Sequence, residues 1–138
     1  MLGVSATEWL RIAERSHSRS AAQAAAAALL HTPRRPTAIF ATDSIQTAGA
    51  LDAIQAADLS IPRDVSLIGF DDVDWMSMVR PPVTVVDQPV YELGKRAAER
   101  LIARIEGDTT EPHVYRLEAT LIQRESCAPP RELGEVVG

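Results

Sequence analysis

Residues 37–74, TAIFATDSIQTAGALDAIQAADLSIPRDVSLIGFDDVD, decide the fold of this chain. The stretch begins with a short apolar run at residues 38–41 and continues with an amphipathic segment at 45–57, whose apolar residues recur every three positions. A turn then leads into a second apolar run at residues 65–70. Parallel strands are buried on both faces, so they read as short apolar runs without polar alternation. An apolar run, a helix and a second apolar run therefore predict a βαβ unit and an α/β fold.

Acidic residues follow both apolar runs where each predicted strand ends. Asp43 comes after the first run, and Asp71 and Asp72 come after the second. A right-handed crossover makes the two strands parallel, so both carboxyl ends lie at one edge of the sheet, where α/β proteins bind small ligands. The carboxylates there could accept hydrogen bonds from a polyhydroxylated or cationic ligand, or hold a metal. A simpler interpretation is that Asp43 caps the next helix and that Asp71 begins a solvated loop.

The rest of the chain adds helices and strands to this unit. The sequence predicts helices at about residues 6–15, 18–30 and 90–105, strands at 83–87, 113–117 and 119–123, and an apolar loop at 73–80. These elements predict a doubly wound, mostly parallel sheet of the α/β class. We assign residues 1–128 to one domain and residues 129–138 to a tail, because the last ten residues show no periodicity.

Composition limits the classes of protein to which the chain can belong. Its 138 residues suffice for one core, and its formal net charge of -5 argues against a basic surface for nucleic acid. One cysteine, Cys127, excludes an intrachain disulfide and suits a reducing compartment such as the cytoplasm. The N-terminus lacks a signal-peptide pattern, and no apolar run reaches about 18 residues, so neither secretion nor a membrane span is predicted.

Several motifs, in one order and at near-constant spacing, resemble the C-terminal half of the ligand-binding domain of the LacI/GalR family of transcription regulators. They are AIFATDS and LIGFDDVD in the opening stretch, RPPVTVVDQPVYELGKRAAERLI at residues 80–102, and RES at 124–126. The resemblance covers about residues 15–130. It implies one lobe of a type I periplasmic-binding-protein-like domain that senses a sugar or a nucleobase.

The resemblance implies a small-molecule effector site at the carboxyl ends of the strands. Asp43 and Ser44 take the positions of an Asn-Asp pair that is common in the family. The other implied ligand-binding residues are Asp71 of the Gly-Phe-Asp-Asp motif, Gln88 near the crossing to the first lobe, and His17, where the family often has an aromatic residue that stacks on the ligand. No catalytic residue, metal or cofactor is implied.

The resemblance also implies a homodimer. The matching interface positions lie at the start of the 45–57 helix and in the 73–80 loop, and they are Ile45, Ala48, Met78 and Val79. The family's helix-turn-helix, hinge helix and first lobe do not precede Met1. We therefore expect a truncated chain that does not bind DNA by itself and whose helix at 90–105 lacks its usual cover.

Two other functions stay open on the sequence. A sugar-binding protein of a transport system shares the fold, although the missing signal peptide argues against it. An Mg²⁺-dependent phospho-acceptor domain would use strand-end acids, namely Asp43, Asp71, Asp72 and Asp74. Such a site also needs a lysine at a neighbouring strand end, whereas the only lysine, Lys95, lies inside a predicted helix. The chain has no Gly-rich phosphate loop and no Ser/His/Asp arrangement, so no enzyme activity is predicted.

Overall fold

The computed structural model of the chain describes residues 18–130. In chain order they form α1 (Arg19–Leu30), β1 (Ala38–Phe40), α2 (Ser44–Ala56), β2 (Ser66–Phe70), α3 (Asp74–Met78), β3 (Thr84–Asp87), α4 (Val90–Ile105) and β4 (Thr120–Ile122). The predicted helix at residues 6–15 and the tail beyond residue 130 lie outside the described residues. The βαβ unit predicted from residues 37–74 is present as β1, α2 and β2.

The four strands form one sheet in the order β1-β2-β3-β4. The first three strands are parallel, with Phe40 opposite Ile68 and Phe70 opposite Val86. The last strand returns antiparallel to β3, with Leu121 opposite Val86. This mostly parallel sheet confirms the predicted α/β class. It also brings the carboxyl ends of β1, β2 and β3 to one edge.

The core lies between the sheet and the helices that pack against it. Ile54 of α2, Leu67 of β2 and Val85 of β3 are fully buried. Gly69 of β2 leaves room for the helices, because a Cβ at this position would lie 3.0 Å from the Thr47 side chain of α2 and 3.3 Å from the sulfur of Met76 in α3. The start of α2 and the short helix α3 therefore lie on the same face of the sheet.

Gly49 lets α1 and α2 approach each other closely. A Cβ at this position would lie only 2.6 Å from the Ala22 Cβ and 2.6 Å from the carbonyl oxygen of Arg19. Across the same contact, the Arg19 guanidinium donates hydrogen bonds of 2.6 and 2.7 Å to the two carboxylate oxygens of Asp52. The hydrogen bond from Arg19 lowers the pKa of Asp52 below its ordinary value. At the start of α1, the Ser18 hydroxyl accepts a bond from the Ala21 N–H, so Ser18 is the N-cap of this helix.

Helix α4 lies outside this core, and none of its residues is buried against the rest of the described chain. Its large apolar side chains are exposed, namely Val90, Tyr91, Leu93, Leu101, Ile102 and Ile105. Its arginines are paired within the same region, since Arg96 contacts Glu92 at 2.9 Å and Arg100 contacts Asp108 at 2.9 Å. The apolar side of α4 therefore has no cover from residues 18–130.

Two predicted elements differ in the structure. Residues 113–117, predicted as a strand, are not in a strand, and within residues 18–130 the sheet ends at β1 and β4. A strand needs a hydrogen-bonded neighbour, which an alternating sequence pattern alone does not provide. Residues 73–80, predicted as a loop, contain α3, which is too short to show helical periodicity. Its Met76 is buried, and the Met76 carbonyl accepts a 2.8 Å hydrogen bond from the Val83 N–H.

Candidate functional site

Asp71 and Gln88 meet at the edge where β2 and β3 end. The Gln88 side-chain amide donates a 2.7 Å hydrogen bond to Oδ1 of Asp71, and both residues are half-buried. The backbone N–H of Asp71 donates a 2.9 Å bond to the Val86 carbonyl, which fixes Asp71 beside β3. An ionised carboxylate has about four acceptor positions and a glutamine amide has two N–H groups. The contact between the two side chains therefore leaves further donors and acceptors at this edge.

The backbone of Asp71 turns sharply at the end of β2. Its φ is 66°, in the left-handed region that residues with a side chain rarely adopt. Aspartate and asparagine tolerate this region better than most residues, because their short polar side chains can hydrogen-bond locally. The turn sends the chain from β2 towards α3 while the Asp71 carboxylate stays in contact with Gln88.

Asp72 is fixed by two other segments of the chain. Nη2 of Arg124 donates a 2.7 Å bond to Oδ2 of Asp72, and Nη1 of Arg124 donates a 2.9 Å bond to the Val83 carbonyl. The Asp72 N–H donates a 3.3 Å bond to Oδ1 of Asp87, the last residue of β3. The segment that follows β4 and the end of β3 therefore both hold the loop that carries Asp71. Asp72 is exposed to solvent, as the simpler interpretation has it, but hydrogen bonds hold its loop in place.

Asp43 follows β1 at the same edge and is the N-cap of α2. Its Oδ1 accepts a 2.7 Å hydrogen bond from the Gln46 N–H, so the capping interpretation is confirmed. Its Oδ2 has no hydrogen-bond partner among residues 18–130. Ser44 is the first residue of α2 and is half-buried. The Ala41 N–H donates to the Ile68 carbonyl at 2.9 Å, which keeps the ends of β1 and β2 side by side.

The residues implied for a dimer interface lie at the start of α2 and at the end of α3, and we call them the α2–α3 patch. Ile45 and Met78 are exposed, whereas Ala48 and Val79 are half-buried. Val79 also packs against the core. Thr47 of α2 and Met76 of α3 both border Gly69, so the two helices that carry these residues lie on the same face of the sheet.

Ser126 is a buried residue that the sequence reasoning did not single out. Its hydroxyl accepts a 2.8 Å bond from the Thr84 N–H and donates to the Leu67 carbonyl, and the Leu67 N–H donates a 3.0 Å bond to the Ser126 carbonyl. The side chain is fully buried. These contacts tie the segment after β4 to β2 and to the start of β3. The motif RES contains both Ser126 and Arg124, and this is the only signal in the sequence that could have found them.

Other sequence-based expectations concern metals, membranes and His17. Residues 18–130 contain no group of three or more His, Cys, Asp or Glu side chains that could hold a metal ion. The four acids of the hypothetical Mg²⁺ site therefore do not form such a group. No helix in this part of the chain is long and apolar enough to cross a membrane. His17 lies outside the described residues.

Comparison with known proteins places this chain in one family. Residues 2–127 match the periplasmic binding protein-like domain. A probable opine utilization operon repressor from Rhizobium rhizogenes is 51% identical over 102 residues, which are 73% of this chain and 52% of that protein. A ribose operon repressor from Haemophilus influenzae is 40% identical over 98 residues, which are 71% of this chain and 30% of that protein.

Solved structures agree with this match. A LacI family transcriptional regulator from Enterococcus faecium, solved with bound ribose, superposes with a TM-score of 0.75 at 31% identity and covers 87% of this chain and 44% of that one. The chain thus spans about half the length, or less, of these relatives. The relatives named here are transcription regulators. The chain belongs to the periplasmic-binding-protein-like domain family, in the branch found in LacI/GalR-type transcription regulators.

Proposed function

We propose that the chain is the effector-sensing part of a LacI/GalR-type transcription regulator, and that it binds a small sugar-like or nucleobase-like ligand at the carboxyl ends of its strands. The contact between Asp71 and Gln88 carries the proposal. It places a half-buried carboxylate and an amide at the edge where open α/β sheets bind ligands. The ribose bound by the Enterococcus faecium relative supports a hydroxyl-rich ligand.

The proposed site is rich in hydrogen-bond acceptors. Ionised Asp71 accepts bonds from ligand hydroxyl or amino groups, and the second N–H of Gln88 donates to a ligand oxygen. Asp43 adds Oδ2 from the neighbouring strand, and Ser44 adds a hydroxyl. His17 is proposed to stack on the ligand or to donate one hydrogen bond. Ligands with several hydroxyl or amino donors suit this set, because bonds to ionised acceptors are roughly twice as strong as bonds between neutral groups.

The affinity of this lobe alone should be low. Two-lobed sites close around a ligand and remove most of its surface from water, whereas one lobe supplies only part of those contacts. We expect dissociation constants no tighter than about 0.1 mM for sugars such as D-ribose and for nucleobases such as adenine. A micromolar ligand would contradict the proposal that one lobe forms only part of the site.

An NMR titration of ¹⁵N-labelled protein with D-ribose and with adenine locates the site at such affinities. We expect the largest shift changes at Asp43, Ser44, Asp71 and Gln88. Asp71→Asn keeps the shape of the side chain but removes its charge, so it should weaken binding about tenfold or more. Asp74→Asn is the matched control, since Asp74 is an exposed acid three residues further along, and it should bind like the wild type. Shift changes confined to another part of the chain would contradict the proposed site.

We further propose that the chain forms a homodimer through the α2–α3 patch. Ile45 and Met78 supply exposed apolar surface, and Ala48 and Val79 are half-buried apolar residues on the same two elements. Met78→Glu would bury an unpaired charge in this interface and should dissociate it. Because Met78 is exposed, the fold should tolerate the change. An α2–α3 interface that survives Met78→Glu would contradict the proposal.

The chain by itself is proposed not to bind DNA. Its formal net charge of -5 makes attraction to phosphates unfavourable, and duplex binding depends largely on such attraction. In an electrophoretic mobility assay at low salt, we expect no shift of a labelled duplex. A sequence-dependent shift that unlabelled duplex competes away would contradict this proposal.

A further inference from the structure

Arg124 joins the segment after β4 to two other parts of the chain. Its backbone N–H donates a 2.9 Å hydrogen bond to the Thr84 hydroxyl at the start of β3. Its guanidinium donates a 2.9 Å bond to the Val83 carbonyl through Nη1 and a 2.7 Å bond to Oδ2 of Asp72 through Nη2. The residue is therefore fixed at its backbone and at its guanidinium, and it connects β3 to the loop that follows β2.

The contact between Arg124 and Asp72 is sheltered from water. Asp72 is exposed as a residue, but its side chain is only 25% exposed and that of Arg124 is 17% exposed. Water and salt screen such a pair less than a fully exposed one, and the bond to Val83 restricts the guanidinium before it meets the carboxylate. Loss of Arg124 would leave a partly buried carboxylate without its charged partner. The pair can therefore hold the loop in one conformation.

Asp71 lies between two fixed points in this loop. On one side, its own N–H donates to the Val86 carbonyl at 2.9 Å. On the other side, Asp72 is held by the 2.7 Å bond from Arg124 and by a longer bond of 3.3 Å to Asp87. A residue other than glycine keeps a φ of 66° only where its surroundings fix it. Arg124 thus supplies the shorter of the two contacts that hold the turn at Asp71 from this side.

We propose that Arg124 is a positioning residue of the effector site. It holds Asp72 and thereby keeps Asp71 in the turn that brings its carboxylate to Gln88. Among residues 18–130 the Arg124 guanidinium donates only to Asp72 and to the Val83 carbonyl, so it acts on Asp71 through the neighbouring residue. The consequence for ligand binding rests on the proposed function, whereas the consequence for the contact between Asp71 and Gln88 does not.

Ser126 provides a matched control from the same segment. It lies two residues after Arg124, it is fully buried, and its hydroxyl bonds to the Thr84 N–H and to the Leu67 carbonyl. Ser126→Ala leaves the buried N–H of Thr84 without its partner, so the melting temperature should fall. If Arg124 did no more than stabilise this segment, Ser126→Ala and Arg124→Gln would affect the effector site alike.

The side-chain NH₂ of Gln88 reports on the contact with Asp71 in the free protein. In ¹H–¹⁵N spectra, Arg124→Gln should move the Gln88 side-chain proton that faces Asp71 upfield, because its hydrogen bond to the carboxylate weakens. Ser126→Ala should leave this resonance in place. A Gln88 resonance that does not move in Arg124→Gln would contradict the proposal, and so would equal movements in the two variants.

Asp72→Asn tests the same contact from its other end. It removes the charge that Arg124 meets, so it should move the Gln88 resonance in the same direction as Arg124→Gln. Because Asp72 is exposed as a residue, this variant should fold even if Arg124→Gln does not. The double variant should move the resonance no further than the larger single change, because both changes break one contact. Additive movements, or no movement in Asp72→Asn, would overturn a role that runs through Asp72.

A titration with D-ribose connects the contact to the ligand. We expect Arg124→Gln to raise the dissociation constant about fivefold or more, and Ser126→Ala to leave it within about twofold of the wild type. An Arg124→Gln chain that binds D-ribose as tightly as the wild type would contradict only the role of Arg124. Wild-type protein that binds neither D-ribose nor adenine at the strand edge would contradict the proposed function, and the Gln88 resonance would still test Arg124.

Discussion

Helices α2 and α4 are of similar length, 13 and 16 residues, but lie in opposite environments. Five residues of α2 are buried, and Ile54 is fully so, whereas none of the α4 residues is buried against the described chain. The difference does not follow from the amphipathic pattern, because α4 is the more amphipathic of the two. An apolar stripe shows that a helix has a face to bury, but its cover must come from tertiary structure or from a partner.

The candidate site lies between the well-packed unit that contains α2 and the segment that leads into the exposed helix α4. Asp43 precedes α2, whereas Gln88 lies two residues before α4. The contact between Gln88 and Asp71 therefore joins the well-packed unit to the segment from which α4 departs. A ligand that changes this contact would act at the junction of the two regions.

The largest difference between the regions should appear when a leucine is shortened in each. Leu67→Ala removes a fully buried side chain from β2 and should lower the free energy of unfolding by about 2–5 kcal/mol. Leu101→Ala removes an exposed side chain and should change it by no more than about 0.5 kcal/mol in dilute solution. Urea denaturation of the two variants measures both effects. Similar losses would show that α4 is packed like the sheet.

Adding one methyl group to a glycine in each helix should give effects of opposite sign. Gly49→Ala would place a Cβ 2.6 Å from Ala22 and from the Arg19 carbonyl, so α1 and α2 must move apart at a cost of about 1–3 kcal/mol. Gly94→Ala meets no atom of the described chain and removes a poor helix former, so it should be neutral or stabilising by up to about 1 kcal/mol. Thermal unfolding in dilute solution measures the two changes. A destabilising Gly94→Ala would indicate a neighbour at that position.

The smallest expected effect is the pH dependence of the ion pair between α1 and α2. The hydrogen bond from Arg19 lowers the pKa of Asp52 in the folded chain below its ordinary 3.8. The pair therefore stabilises the fold above that value, and its contribution is lost as the pH falls through the lowered pKa. Because Arg19 is exposed, the contribution is small. Asp52→Asn should lower the melting temperature slightly at neutral pH, and its difference from the wild type should shrink as the pH falls through the lowered pKa. A difference that persists at low pH would contradict the charge-based explanation.

The sequence was sufficient to predict the unit formed by β1, α2 and β2, because its signals are local. Apolar runs mark buried parallel strands, and Asp43 marks the start of a helix. The sequence also predicts that Asp71 lies at the strand edge with Asp43, since the two strands of a βαβ unit are parallel and their carboxyl ends lie at the same edge. The strand predicted at residues 113–117 was wrong because this prediction depends on a non-local partner. A strand requires a hydrogen-bonded neighbouring strand, which its own residues do not specify.

The non-local contacts of Ser126 and Arg124 could not be predicted from the sequence pattern alone. The partners of Ser126 lie 42 and 59 residues away in the sequence, and Arg124 contacts Asp72 across 52 residues. Neither residue stands out by periodicity, capping or spacing. Only the resemblance of the RES motif pointed to this segment, without indicating which atoms it would hold.

Hydrogen–deuterium exchange of α2 and α4 in one sample tests most directly whether only the first helix is covered by its own chain. The measurement is made in dilute solution on the Met78→Glu variant, in which the proposed α2–α3 interface is disabled. A helix of about 16 residues without tertiary packing is only marginally stable in water. The amides of α2 should therefore exchange slowly, through global unfolding, whereas those of α4 should exchange many times faster. Equal, slow exchange of α4 in this monomer would contradict the distinction between a covered and an uncovered helix.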